Sequence, residues 1–90
     1  MIFEISQKYA SIFFQAVKDA ENFAKSLNID VYKCHIEFHE NIPCKEILCY
    51  LIHFYEEIVN ESWMDVDALN DICVFISMES GQTILITQSR

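Results

Sequence analysis

At 90 residues and 52% hydrophobic, the chain has material for one domain with a modest core and little room for a second. Fourteen acidic residues against six basic ones give a net charge of −8, which argues against direct binding to a phosphate backbone or an anionic membrane. A single Gly and a single Pro exclude collagen-like repeats and low-complexity linkers.

Residues Glu4 to Leu27 read as one amphipathic helix. Ile5, Tyr9, Ile12, Phe13, Ala16, Val17, Ala20, Phe23, Ala24 and Leu27 recur at three- and four-residue spacings. The opposite face carries Lys8, Ser11, Gln15, Lys18, Asp19, Asn22 and Lys25, and Asn28 is the expected stop. Asp30 to His39 then alternates with period two. Val31, Lys33, His35, Glu37 and His39 take one side, and Tyr32, Cys34, Ile36 and Phe38 take the apolar one, the pattern of a half-buried strand.

Asn41-Ile42-Pro43 predicts the start of a second helix, with Asn41 or a neighbour as cap and Pro43 in the first turn. It is expected to run to about Ser62, with Ile47, Leu48, Leu51, Ile52, Phe54, Tyr55, Ile58 and Val59 as a broad apolar face. Trp63 to Asn70 reads as a further short helical turn. Asp71 to Met78 and Thr83 to Thr87 are β-branched and aromatic, and Glu79-Ser80-Gly81-Gln82 between them holds the only Gly, a hairpin signal. The expected fold is therefore a single α+β domain over residues 1–90, two helices packed on a small antiparallel sheet in the order α-β-α-β-β.

Charge is unevenly distributed. Residues 1–39 carry a net −1, residues 40–79 carry −8 with Lys45 their only base, and Arg90 returns +1. On the expected second helix Glu56, Glu57 and Glu61 would crowd the negative end of the helix dipole, and Glu57 and Glu61 would be a like-charged i,i+4 pair. Local rules broken without visible compensation point to function. Glu46, Glu56, Glu57, Glu61, Asp65, Asp67 and Asp71 are the candidate partner-binding strip, a row of carboxylates standing in for phosphates before a basic partner. A solvated charged face is the plainer alternative. Phe14, beside the main apolar stripe, joins Trp63 and Met64 as a candidate apolar contact for a second copy or a partner.

The stretches IFFQAVKDAENFAKSL and EEIVNESWMDVDALND, within an acidic chain of this length, resemble the small anti-restriction nuclease (Arn-like) proteins of T-even phages. The resemblance implies a DNA-mimic homodimer that occupies the DNA site of a modification-dependent restriction endonuclease of the McrBC type. The four lysines of residues 1–39 favour one acidic face over a uniformly negative surface. An immunity protein neutralising a basic nuclease toxin would need the same charge and is the alternative.

Other constellations are weaker. Cys34, His35, His39, Cys44, Cys49 and His53 invite a metal, and Cys49 and His53 stand at i,i+4, but no C-x-x-C pair occurs. A Cys/His nucleophile needs an electropositive pocket that an acidic chain does not offer. Ser80-Gly81 lacks the further glycines of a phosphate loop. Met1 to Tyr9 include Glu4 and do not form the apolar run of a secretion signal, so the four cysteines are expected as reduced thiols in a cytoplasm. The expectation is thus a non-enzyme without metal or cofactor, bound to a basic DNA-binding protein and not to nucleic acid or membrane.

Overall fold

The computed structural model describes residues 1–27, 29–56 and 71–88. One helix, α1 (Gln7–Ala24), is followed by a 3-10 turn (Val31–Lys33) and four strands, β1 (Cys34–Cys44), β2 (Ile47–Glu56), β3 (Asp71–Ser77) and β4 (Thr83–Thr87). The strands form a single antiparallel sheet in the order β1-β2-β3-β4.

The helix meets the sheet through Ala16, Ala20 and Ala24, all buried at four-residue spacing. Three methyl groups in line let the helix backbone approach the strands closely, while Tyr9, Ile12, Val17, Phe23 and Leu27 pack on either side. Beneath them lie Tyr50, Ile52 and Phe54 of β2 and Ile72, Val74 and Ile76 of β3, paired as Tyr50↔Ile76, Ile52↔Val74 and Phe54↔Ile72. Each such apolar side chain removed from water is worth about 1.5–3 kcal/mol, so these two central strands hold the helix. Tyr9 adds edge-to-face contacts with Phe38 and Tyr50 at centroid distances of 5.5 and 6.3 Å. Of the residues expected on the outer helix face, Gln15 and Asp19 instead reach β4. Gln15 donates to Thr83 Oγ1 at 2.9 Å, and that hydroxyl donates to the Asp19 carboxylate.

The expected second helix from Pro43 is overturned, and with it the two-helix, α-β-α-β-β architecture. Residues 47–56 form the central strand β2, and β1 runs through Pro43 to Cys44. The physical reason lies in ILCYLIHFYE. A strand with apolar side chains on both faces reads as a nearly continuous apolar run, and periodicity alone does not separate such a run from a broad helical face. Tyr50, Ile52 and Phe54 face the helix, while Leu51, His53 and Tyr55 take the other side. Pro43 is tolerated because β1 is an edge strand, with no ladder partner required on its outer side. The chain reverses at Lys45-Glu46, where both residues have positive φ (52° and 66°), the left-handed conformation of a two-residue hairpin turn. Asn41, at φ 59°, sits in a bulge where Glu40 and Asn41 interrupt the register between His39↔Leu51 and Ile42↔Cys49.

The last two strands lie where the sequence pattern put them. Gly81 takes φ 75° in their connection, and its N–H donates to Ser77 O at 2.9 Å. The expected helix stop at Asn28, the carboxylates Glu57, Glu61, Asp65 and Asp67, the aromatic-Met pair Trp63 and Met64, and the turn expected over 63–70 all lie outside the described residues.

Candidate functional site

The sheet face turned away from α1 carries a polar row built by the strand register. Glu37 of β1 pairs with His53 of β2, His53 with Cys73 of β3, and Cys73 with Thr87 of β4. Because successive strand residues alternate sides, the four side chains of one register row share a face. Asp71, two residues before Cys73 on β3, projects on the same side one step along.

His53 is the centre of this row. Its Nε2 lies 2.8 Å from Asp71 Oδ2 and its Nδ1 lies 3.3 Å from Glu37 Oε1, so each ring nitrogen faces a carboxylate. Tyr55 flanks it, with its ring centroid 5.2 Å from that of His53 and 5.4 Å from the stacked His35. The ring of His53 is therefore fixed in plane and in direction. Glu37 Oε1 also meets His39 Nε2 at 3.2 Å, and the two imidazoles hold the Glu37 carboxyl below its ordinary range, His39 contributing most.

Asp71 is 1% exposed. A carboxylate so placed requires hydrogen-bond partners, and His53 Nε2 is one of them. Cys73 is also buried, and burial, then the neighbouring Asp71, pushes its thiol up to about 11. His53, Asp71 and Cys73 each present one donor atom, and the three atoms lie within 4.8 Å of one another. The arrangement does not suit nucleophilic catalysis by Cys73. A nucleophile needs a free nitrogen of the imidazole as its base, whereas both nitrogens of His53 are engaged by carboxylates, and the thiol is biased toward its protonated form.

The sequence-derived candidates fall elsewhere. Cys49 and His53, an i,i+4 pair on a helix, are four strand residues and so about 13 Å apart along β2. Cys34 and His35 project to opposite faces of β1, and all four cysteines are unbridged. Of the acidic strip, Glu46 lies in the β1–β2 turn and Glu56 at the far end of β2, about 30 Å away along the strand. Asp71 is withdrawn from solvent against His53, so it does not belong to an exposed ridge. Phe14, by contrast, is 71% exposed on α1. Sequence reasoning passed over Cys73 and Asp71 as partners of His53. The one available signal was D-I-C, an acid and a thiol two residues apart within a strand, which places both on one face.

A second grouping forms where the two hairpin turns meet. Met78 N–H donates to Leu48 O at 3.0 Å, which brings the β1–β2 and β3–β4 turns to the same end of the sheet. Glu46, Ile47, Leu48, Met78 and Glu79 surround an open hollow of about 400 Å3 there. Ile47 and Leu48 are exposed apolar side chains.

Comparison with protein-family models, with curated protein sequences and with solved structures finds no match. No helix among the described residues is long and apolar enough to cross a membrane.

Proposed function

We propose that this chain is a stoichiometric binding protein, not an enzyme, which uses carboxylates to occupy the nucleic-acid site of a basic DNA-handling protein. The observation that carries the reading is how charge is divided between the layers. Lys8, Lys18 and Lys25 sit on or at the end of α1 and offset the helix's own Asp19 and Glu21. The strands and their turns hold Glu37, Glu40, Glu46, Glu56 and Glu79 outside the buried Asp71, against Lys45 alone. A basic partner is attracted to the sheet and not to the helix layer.

Among the described residues the turn end of the sheet is the docking surface of this proposal, because it sets apolar side chains between carboxylates. Apolar Ile47 and Leu48 between Glu46 and Glu79 follow the pattern of an interface, an apolar centre with a polar rim. The partner class in this proposal is a modification-dependent restriction endonuclease of the McrBC type, and Phe14 is the described part of a contact with a second copy of the chain.

The test is cleavage of methylated DNA by such an endonuclease as the chain is added, at salt from ~0.05 to ~0.5 M. Inhibition that is strong at low salt, fades as salt rises and is reversed by competitor DNA supports the reading. Undiminished cleavage at large molar excess of folded chain sinks it. A basic nuclease toxin assayed in parallel separates the alternative, since inhibition of that enzyme alone assigns the chain to the immunity proteins.

A further inference from the structure

We infer that the sheet face opposite α1 holds a divalent transition-metal site of the zinc class, with His53 Nε2, the Asp71 carboxylate and Cys73 Sγ as ligands. Glu37 is its positioning residue. The inference stands apart from the partner reading, because a metal site on this face requires nothing of the acidic turns.

The three donors come from two adjacent, hydrogen-bonded strands, so the ladder itself fixes their separation. They lie within 4.8 Å of one another. Around a tetrahedral zinc with bonds of about 2.0–2.3 Å, donors stand roughly 3.3–3.8 Å apart, so closure needs shifts of about 1 Å. The contact between His53 and Asp71, at 2.8 Å, opens slightly as the ion enters between them. One imidazole, one thiol and one carboxylate are the donor types that zinc takes, whereas magnesium and calcium prefer oxygen alone.

Glu37 makes the case specific. A metal-bound imidazole commonly gives its other N–H to a carboxylate, which sets the tautomer and aims the ring. His53 does this here: Nδ1 faces Glu37 Oε1 at 3.3 Å, leaving Nε2 directed at Asp71. A bare His–Asp pair would satisfy Asp71 without Cys73 beside it and without a second carboxylate on the far nitrogen. Asp71 and Cys73 are both buried, so an ion held by them is shielded from bulk water.

The experiment titrates the full chain with cobalt(II), then with zinc. One equivalent of cobalt should give a sulfur-to-metal charge-transfer band with intense d–d absorption, displaced by zinc. Cys73→Ser should remove the charge-transfer band. Glu37→Gln should retain it while weakening affinity about 10–100-fold. Circular dichroism of each variant separates loss of a ligand from loss of the sheet. The wild-type chain also decides alone: zinc should shift the ring resonances of His53 while those of His39 move little. Absence of a saturable one-to-one titration, unmoved His53 resonances, or a band that survives Cys73→Ser overturns the site.

Discussion

His53 and Asp71 meet across β2 and β3 at 2.8 Å, with the imidazole partly exposed and the carboxylate sealed from solvent. That asymmetry sets which deletion is costly. His53→Ala removes one hydrogen-bond partner of a buried carboxylate, and we expect a loss of about 1–3 kcal/mol, toward the lower end because the pair is partly open on the His53 side. His39→Ala removes an exposed partner of Glu37 and should cost no more than about 0.5 kcal/mol. Urea denaturation of the two variants checks the order. Equal midpoints would mean that the sheet does not depend on the His53–Asp71 contact.

The helix-facing layer makes a second expectation. Phe54 is fully buried between α1 and the sheet, whereas Phe14 projects outward from α1. Phe54→Ala should destabilise the fold by about 3–5 kcal/mol through lost burial and the cavity left behind. Phe14→Ala should leave thermal stability within about 0.5 kcal/mol of the parent chain. A large loss of monomer stability from the Phe14 change would place that ring in the core and contradict the exposure found here.

Ser77 organises the β3–β4 turn. It is buried, and its hydroxyl oxygen accepts the N–H groups of Glu79 and Ser80 at 3.2 and 3.1 Å. Ser77→Ala strips both donors of their acceptor, and because water can reach the turn the expected cost is about 1 kcal/mol. Gly81→Ala meets no atom in space, but its φ of 75° is strained for any side chain, and it too should cost about 1 kcal/mol. Thermal melts read both. A neutral Ser77→Ala would show that the turn holds without this hydroxyl.

What the sequence disclosed depends on how each segment meets the core. Ala16, Ala20 and Ala24 lie on a helix apolar along one side only, so period and element agree; the strand expected over Asp30 to His39 was legible from Cys34 on, while Val31–Lys33 form a 3-10 turn capped by Asp30. Residues 47–56 broke that correspondence. Leu51, His53 and Tyr55 occupy the second face of β2, and Leu51 and Tyr55 complete an apolar run that imitates a helix. Reading that run as helical also misplaced the site, since His53 was paired with Cys49 on an imagined helix face. In the sheet its neighbours are Glu37 and Cys73, set by ladder register that one sequence does not encode locally.

The missed hairpin yields the most decisive stability experiment. Lys45 and Glu46 both occupy the left-handed region at φ 52° and 66°, where a β-carbon costs roughly 1 kcal/mol and where Asn-Gly is the favoured pair. In the sheet, the double substitution Lys45→Asn with Glu46→Gly relieves that strain, and we expect stabilisation of about 1 kcal/mol. In a helix beginning at Pro43 the same change would place Gly in the second turn and destabilise by a similar amount. The two architectures therefore predict opposite signs for one variant. A higher denaturation midpoint supports the β1–β2 hairpin, and a lower one would return the segment to helix, taking with it the row that joins Glu37, His53 and Cys73.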